Sequence, residues 1–325
     1  MISHPILWDS GVYLPEQRLW LDPKLRRPRA VISHAHSDHV AAHPLAFMTP
    51  QTGRLVSHRR VTIDDLRTVP YETPLALDGT RLTFYSAGHV LGSAQTLLET
   101  DFGRVLYTGD LKVRPGYTTS PARPRPADVL ILESTFGKPR YTFPDHAEVI
   151  AALVAWCRGV LNVGATPALL GYSLGKGQEV IAALSDAGFT LALHPALHAV
   201  TDVYRELGCT IAGGLGPDQP AAAGSVLLMP PSAGRAWALR ADATVRFAAL
   251  TGWAMDAGLK DRLQVDAAFP LSDHADFQEL CQFAQAVAPQ MTYTVLGFDE
   301  DLALALRRRG LRAAPLRQPQ QLAMF

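Results

Sequence analysis

The chain has 325 residues, 48% hydrophobic and 18% charged, so it can bury a sizeable core and exceeds the usual single domain of roughly 100 to 200 residues. Lys and Arg number 30 and Asp and Glu 30, a net charge of zero that excludes coating nucleic acid by bulk charge alone. Cys157, Cys209 and Cys281 form no C-x-x-C pair, which argues against a thiolate zinc site or a disulfide framework and fits a reducing cytosol.

From about Ile6 to Leu132 the chain reads as short β runs between turns: "RLWLD", "AVISH", "RLTFYSAG", "AQTLLET", "RVLYTGD" and "DVLILES". The period changes at "FPDHAEVIAALVAWCRGVL", where apolar residues take helical spacing after Pro144 and Asp145 as a start signal. "TPALLGYSLGKGQEVIAALSDAG" then reads as strand, Gly-rich turn and helix, and "TLALHPALHAVTDVYRELG" with "GSVLLMPP" continues that alternation. From "TGWAM" through "AFPLSDHADFQELCQFAQAV" to "MTYTVLGF", strands with helices between them return. This order suggests a host domain in two parts, residues 1–148 and 250–325, interrupted by an α/β unit over residues 149–249. The basic runs "KLRRPR", "SHRR" and "RRRGLR" read as solvated faces. The N-terminus has no basic region followed by an apolar run, and no segment approaches the roughly 20 apolar residues that span a bilayer, so neither export nor a membrane partner is expected.

The stretch "ISHAHSDHV" holds four potential metal ligands, His34, His36, Asp38 and His39, within six residues. On a loop leaving a strand, His34 and His36 can converge on one ion while Asp38 and His39 turn toward a second. His89 lies in "SAGHVLGSAQ", whose small residues allow close backbone approach, and Asp110 ends "RVLYTGD", where a carboxylate with two oxygens can bridge two cations. Asp22, closing "RLWLD", is placed to orient a ligating histidine. "GYSLGKGQE" is a Gly-rich turn opening a helix, which suits an anion contacted by Tyr172, Ser173, Gly175 and Lys176; close helix–strand packing requires the same glycines. Phe136, Tyr141 and Phe143 suit core packing better than base stacking.

"HAHSDH", "SAGHVLGS" and "YTGD" resemble the metallo-β-lactamase superfamily, and "LILESTFG" with "PLSDHADF" resembles its β-CASP nuclease branch. Within that branch the chain is most similar to the bacterial ligase-associated DNA-damage-response exonucleases, relatives of Artemis and Apollo, and "GYSLGKGQE" and "TGWAM" extend the likeness over most of the chain. The resemblance implies an α/β fold, an αββα sandwich with an inserted α/β β-CASP cap. It implies that His34, His36, His89 and Asp110 hold a first metal ion, and that Asp38, His39 and Asp110 hold a second. It assigns Glu133 to the acidic cap-motif position and His274 to the histidine that follows.

RNA-cleaving members carry a further histidine where this chain has Leu296, whereas DNA-processing relatives resemble it in having an aliphatic residue there. A leucine cannot ligate, so one zinc ion is expected to bind firmly and a second weakly or not at all, with manganese as an alternative metal. The resemblance thus implies a DNA exonuclease of DNA repair, using metal-bound hydroxide on single-stranded or 5′-phosphorylated ends. Asp110 and Asp38 belong to its catalytic set, and His274, paired with Glu133, protonates the leaving group. A functional link to a DNA ligase and a helicase is implied in the same way. The competing expectations are an RNA-processing β-CASP enzyme, a small-molecule hydrolase, which would need neither Glu133 nor His274, and a scaffold without metal.

Overall fold

The computed structural model describes residues 6–216, 224–232, 234–238 and 244–317. It is mixed α/β with three sheets and divides into two compact units. The first comprises the chain up to Val113, Pro121–Pro139 and the chain from Ala275 onward; the second comprises Arg114–Ser120 and Arg140–His274.

The first unit holds two sheets. One joins, in chain order, β1 (Leu7–Trp8), β2 (Val12–Leu14), β3 (Leu19–Leu21), β4 (Arg29–Val31), β5 (Leu45–Met48) and β6 (Asp65–Thr68), with α1 (Pro50–His58) between the last two. The other contains β7 (Leu75–Leu77), β8 (Thr80–Ser86), β9 (Ala94–Thr100), β10 (Gly103–Tyr107), β11 (Val129–Glu133), β17 (Met291–Val295) and β18 (Ala313–Pro315), with α7 (Phe277–Val287) and α8 (Asp299–Arg308) in its last third.

A sheet covered on both faces explains why Val105–Tyr107 of β10 and Val129–Leu132 of β11 are continuous apolar runs. Val105, Tyr107, Val129 and Ile131 face a core shared with Val12, Leu14, Leu21, Val31 and Phe47 of the first sheet. Leu106, Leu130 and Leu132 point the other way, into Phe277, Leu280, Phe283, Leu302 and Leu306 of α7 and α8. Each such fully buried side chain contributes about 1.5–3 kcal/mol, so both faces of the sheet are held by packing.

The second unit is built on a parallel sheet in the order β13-β14-β12-β15-β16. Its elements are α2 (His146–Asn162), β12 (Thr166–Leu170), α3 (Lys176–Asp186), β13 (Leu191–Leu193), α4 (Pro195–Glu206), β14 (Val226–Met229), α5 (Gly234–Ala238), β15 (Val245–Leu250), α6 (Leu259–Leu263) and β16 (Ala267–Phe269). The helix foreseen after Pro144 begins at His146, where the Asp145 side chain accepts from Ala147 N at 2.8 Å. The α/β unit expected to end near residue 249 runs on to His274, because β15 pairs with β12 and β16 with β15.

The run from Lys24 to Arg29 places Arg26 at 3.0 Å from Asp64, Arg27 at 2.5 Å from Asp9 and Arg29 at 2.6 Å from Asp78. Its arginines are therefore neutralised locally. No helix among the described residues is long and apolar enough to cross a membrane.

The short α1 is tied to the loop between β8 and β9. Thr49 caps α1 by accepting from Thr52 N at 3.1 Å, and both threonine hydroxyls donate to Gly92 O, at 2.7 and 2.9 Å, in full burial. Thr49→Val keeps the volume and removes the cap and one of these bonds. It should cost about 1–3 kcal/mol in urea unfolding of the metal-free protein. An unchanged midpoint would mean that Thr52 alone fixes the loop.

Candidate metal centre

Most of the functional residues of the first unit sit where parallel strands end, whereas His89 lies in the loop between the antiparallel β8 and β9. His34, His36, Asp38 and His39 follow β4, Asp110 follows β10, Glu133 ends β11 and Leu296 follows β17. Carboxyl ends of parallel strands are where α/β sheets gather ligands, since the chain must turn there and its side chains face an open edge.

One buried carboxylate organises the histidines. Asp22, just past β3 in the left-handed region at φ 46°, accepts from Ser33 N at 2.7 Å, Ser33 Oγ at 2.5 Å, Tyr107 OH at 2.8 Å and His39 Nδ1 at 2.9 Å. Ser33 Oγ gives its proton to Asp22, so at 2.9 Å from His34 Nδ1 it can only accept. Ser33 and Asp22 thus occupy the Nδ1 side of His34 and His39, so that in the neutral rings a bound cation would require, the Nε2 lone pairs face inward.

Four inward atoms converge. His34 Nε2 is 3.1 Å and His89 Nε2 is 3.0 Å from His36 Nδ1, and Asp110 Oδ2 is 3.5 Å from both Nε2 atoms. A tetrahedral ion with bonds of about 2.0–2.1 Å needs ligand atoms about 3.3–3.4 Å apart, so these separations fit one cation. His34, His89 and Asp110 are buried and His36 is half-buried. Asp110 Oδ2 also lies 3.5 Å from His39 Nε2, which in turn is 3.6 Å from Asp38 Oδ2. One carboxylate thus serves two donor sets.

Two glycines make this approach possible. At Gly88, φ 74°, a Cβ would run into Lys112 O, and at Gly109, φ 55°, it would lie 2.7 Å from Ser33 Cβ. The electrostatics favour a cation. Burial alone would push the His39 imidazole down, but Asp110, Asp22 and Asp38 outweigh it and raise its pKa to about 10. Burial, and then Asp22, push the Tyr107 phenol well above its usual range.

Glu133 is fully buried; its carboxylate accepts from Leu111 N at 2.5 Å and Thr135 N at 3.3 Å, and so fixes the main chain next to Asp110. Leu296, at φ 63°, lies with Asp22, Lys24, Asp38, His39 and Tyr107 along a pocket of about 10 Å³. Ser33 and Tyr107 escaped the sequence reading, being ordinary residue types whose role appears only once β3, β4 and β10 are in register.

In the second unit, His274 closes the turn Ser272–His274. Ser272 Oγ accepts from His274 N at 3.0 Å and donates to His274 O at 3.1 Å. The "GYSLGK" turn, by contrast, is largely closed on itself. Gly175 N donates to Gln178 Oε1, Gly177 N to Tyr172 O, and Gln178 N and Glu179 N to Gly175 O. Lys176 is buried, with Nζ 3.4 Å from Asp273 Oδ2, which leaves exposed Tyr172 and half-buried Ser173 as the accessible members of the expected anion site. Phe136, Tyr141 and Phe143 are buried, as core residues would be.

No family model matches the chain. It is 38% identical over 323 residues to a protein of Opitutus terrae named "Probable DNA ligase", which covers 98% of this chain and 32% of that protein. It is 32% identical over 164 residues to the DNA cross-link repair 1A protein of Mus musculus, covering 48% of this chain and 16% of that protein. To the "Endoribonuclease ysh1" of Emericella nidulans it is 32% identical over 213 residues, 54% of this chain and 24% of that protein. The chain therefore spans about a third or less of the length of these relatives.

Three sheets in a mixed α/β chain are consistent with metallo-β-lactamase homologues, which use metal ions, and the largely buried cluster of three histidines and one carboxylate is fit to bind one. The chain's homologues include β-CASP metallo-β-lactamase nucleases of both DNA repair and RNA processing.

Asp22→Asn tolerates the left-handed backbone but replaces one accepting oxygen with an NH2 donor that faces buried donors. It should weaken metal binding roughly 10–100-fold, read by competition with a chelator. Wild-type affinity in this variant would remove Asp22 from the role of orienting ligand.

Proposed function

We propose that the chain is a zinc-dependent DNA exonuclease acting in DNA repair on single-stranded or 5′-phosphorylated ends. The observation that carries the reading is the convergence of His34 Nε2, His36 Nδ1, His89 Nε2 and Asp110 Oδ2 at 3.0–3.5 Å, with Asp110 shared by His39. Imidazole nitrogens with one carboxylate oxygen at tetrahedral spacing suit zinc, and manganese accepts the same ligand types.

These four residues would hold the ion, and Asp38, His39 and Asp110 a weaker second one. When bound, zinc supplies a Lewis acid for a phosphoryl oxygen and lowers the pKa of a coordinated water from about 15.7 to about 7. The remaining work falls to the chain's own side chains. Asp22 keeps the Nε2 lone pairs of His34 and His39 directed inward, and Glu133 fixes the main chain beside Asp110. His274 protonates the departing 3′-oxygen, as the family resemblance implies, a role that contributes roughly 10²–10⁴ in rate.

Leu296 supports DNA over RNA, because it presents an apolar side chain beside Asp38 and His39 where RNA-cleaving members have a ligating histidine. A second reading, an RNA-processing nuclease, draws on the likeness to a protein named an endoribonuclease. The likeness to a protein named "Probable DNA ligase" supports a functional link to a ligase, and the family resemblance adds a helicase. The three free cysteines, two of them buried, fit a reducing cytosol.

Two experiments test this. Matched single-stranded DNA and RNA oligonucleotides, labelled internally and carrying a 5′-phosphate or a 5′-hydroxyl, should show stepwise shortening of DNA from the phosphorylated end. Cleavage of RNA with DNA untouched would overturn the reading in favour of the second. Asp110→Asn removes the shared charge with little change of volume and should reduce cleavage by on the order of 10³-fold or more, with an unaltered circular dichroism spectrum. Retained activity in this variant would sink the metal assignment.

A further inference from the structure

We propose that Lys176 is a positioning residue that holds His274 through Asp273, and that it is not itself a phosphate ligand. The inference rests on the role given to His274 above. Topology brings the two motifs together: Lys176 opens α3 just beyond the carboxyl end of β12, and Ser272–His274 follow the carboxyl end of β16 in the same parallel sheet.

The side chains of Lys176 and Asp273 are 5% and 6% exposed, with Nζ and Oδ2 3.4 Å apart. Nζ also lies 5.4 Å from the centre of the Tyr172 ring, so the ammonium is held on a second side. Withdrawing both charges from water is costly, and well-packed apolar residues of similar volume are often as stable, so stability alone does not account for the pair. What the pair does is fix a direction. Asp273 sits between Ser272 and His274, whose main chain closes on the Ser272 hydroxyl at 3.0 and 3.1 Å. Anchoring Asp273 therefore sets the orientation of the whole turn and of the imidazole it carries. A shift of about 1 Å in a reacting group can cost roughly 10²-fold in rate.

The phosphate alternative has less to work with. The N–H groups of Gly175, Gly177, Gln178 and Glu179 all donate within the chain, and the Lys176 ammonium already faces a carboxylate.

The test compares the metal-loaded wild type with Lys176→Met, Lys176→Arg and the double variant Lys176→Met/Asp273→Asn, which removes both charges together. Substrates are single-stranded DNA with a 5′-phosphate or a 5′-hydroxyl, and hydrogen–deuterium exchange over Leu271–His274 is read in the metal-free protein. The expected result is a fall in kcat of about 10–100-fold on both ends for Lys176→Met and the double variant, with KM little changed. Exchange in the turn should quicken, the double variant should unfold near the wild-type midpoint, and Lys176→Arg should recover most of kcat. A rise in KM confined to 5′-phosphorylated ends would make Lys176 a phosphate ligand and overturn the proposal, as would an unchanged kcat in the double variant. If the wild type cuts neither end, the proposed function fails separately, and unaltered exchange in the turn of the double variant would then overturn the positioning role by itself.

Discussion

The arrangement depends on the Asp22 carboxylate being buried and fully satisfied. A carboxylate in the interior is tolerable only with donors around it, and this one receives them from the loop after β4, from His39 and from β10. The same bonds that make its burial possible lock three segments in register and occupy the Nδ1 side of two histidines, directly at His39 and through Ser33 at His34. Its left-handed backbone, at φ 46°, turns the chain inward at the end of β3; aspartate accepts that conformation more readily than most residues. Structural and chemical roles therefore cannot be separated at this position.

Charge on the molecule is organised locally. The chain is neutral overall, and the arginines of the run from Lys24 to Arg29 face carboxylates on the first unit's surface. Negative charge is concentrated instead around His39, where Asp22, Asp38 and Asp110 overcome the cost of burying a cation. Two buried carboxylates, Asp22 and Asp110, and the exposed Asp38 gathered about one point make a place for a small hard or borderline cation.

Legibility in the sequence followed the distance along the chain over which each feature is encoded. "HAHSDH" was readable because four ligand types fall within six residues, and α2 because Pro144 and Asp145 precede a helical apolar pattern. The helix α1 was missed, since "PQTGRLVSH" carries a glycine and few apolar residues, and its N-cap at Thr49 is recognised by Gly92 in a distant loop. Tyr107 lies 85 residues from Asp22, and nothing local marks it. The extension of the second unit to His274 depends on β15 and β16 joining an edge, which short apolar strands do not announce. In "GYSLGK" the glycine pattern fitted both an anion cradle and tight packing; the burial of Lys176 against Asp273 lay outside what spacing can express.

The two donor sets around Asp110 are unequal for a reason visible in their surroundings. The first draws on His34 and His89, both buried, and on half-buried His36, so its ligands are preorganised and little is lost in ordering them. The second relies on Asp38, whose side chain is 67% exposed, and on the wall formed by Leu296, which offers no lone pair. An ion in that position would have to immobilise a solvated carboxylate and complete its shell with water. Preorganisation and donor count thus both favour the first set, since Leu296, after β17 and in the left-handed region, adds no ligand atom to the second.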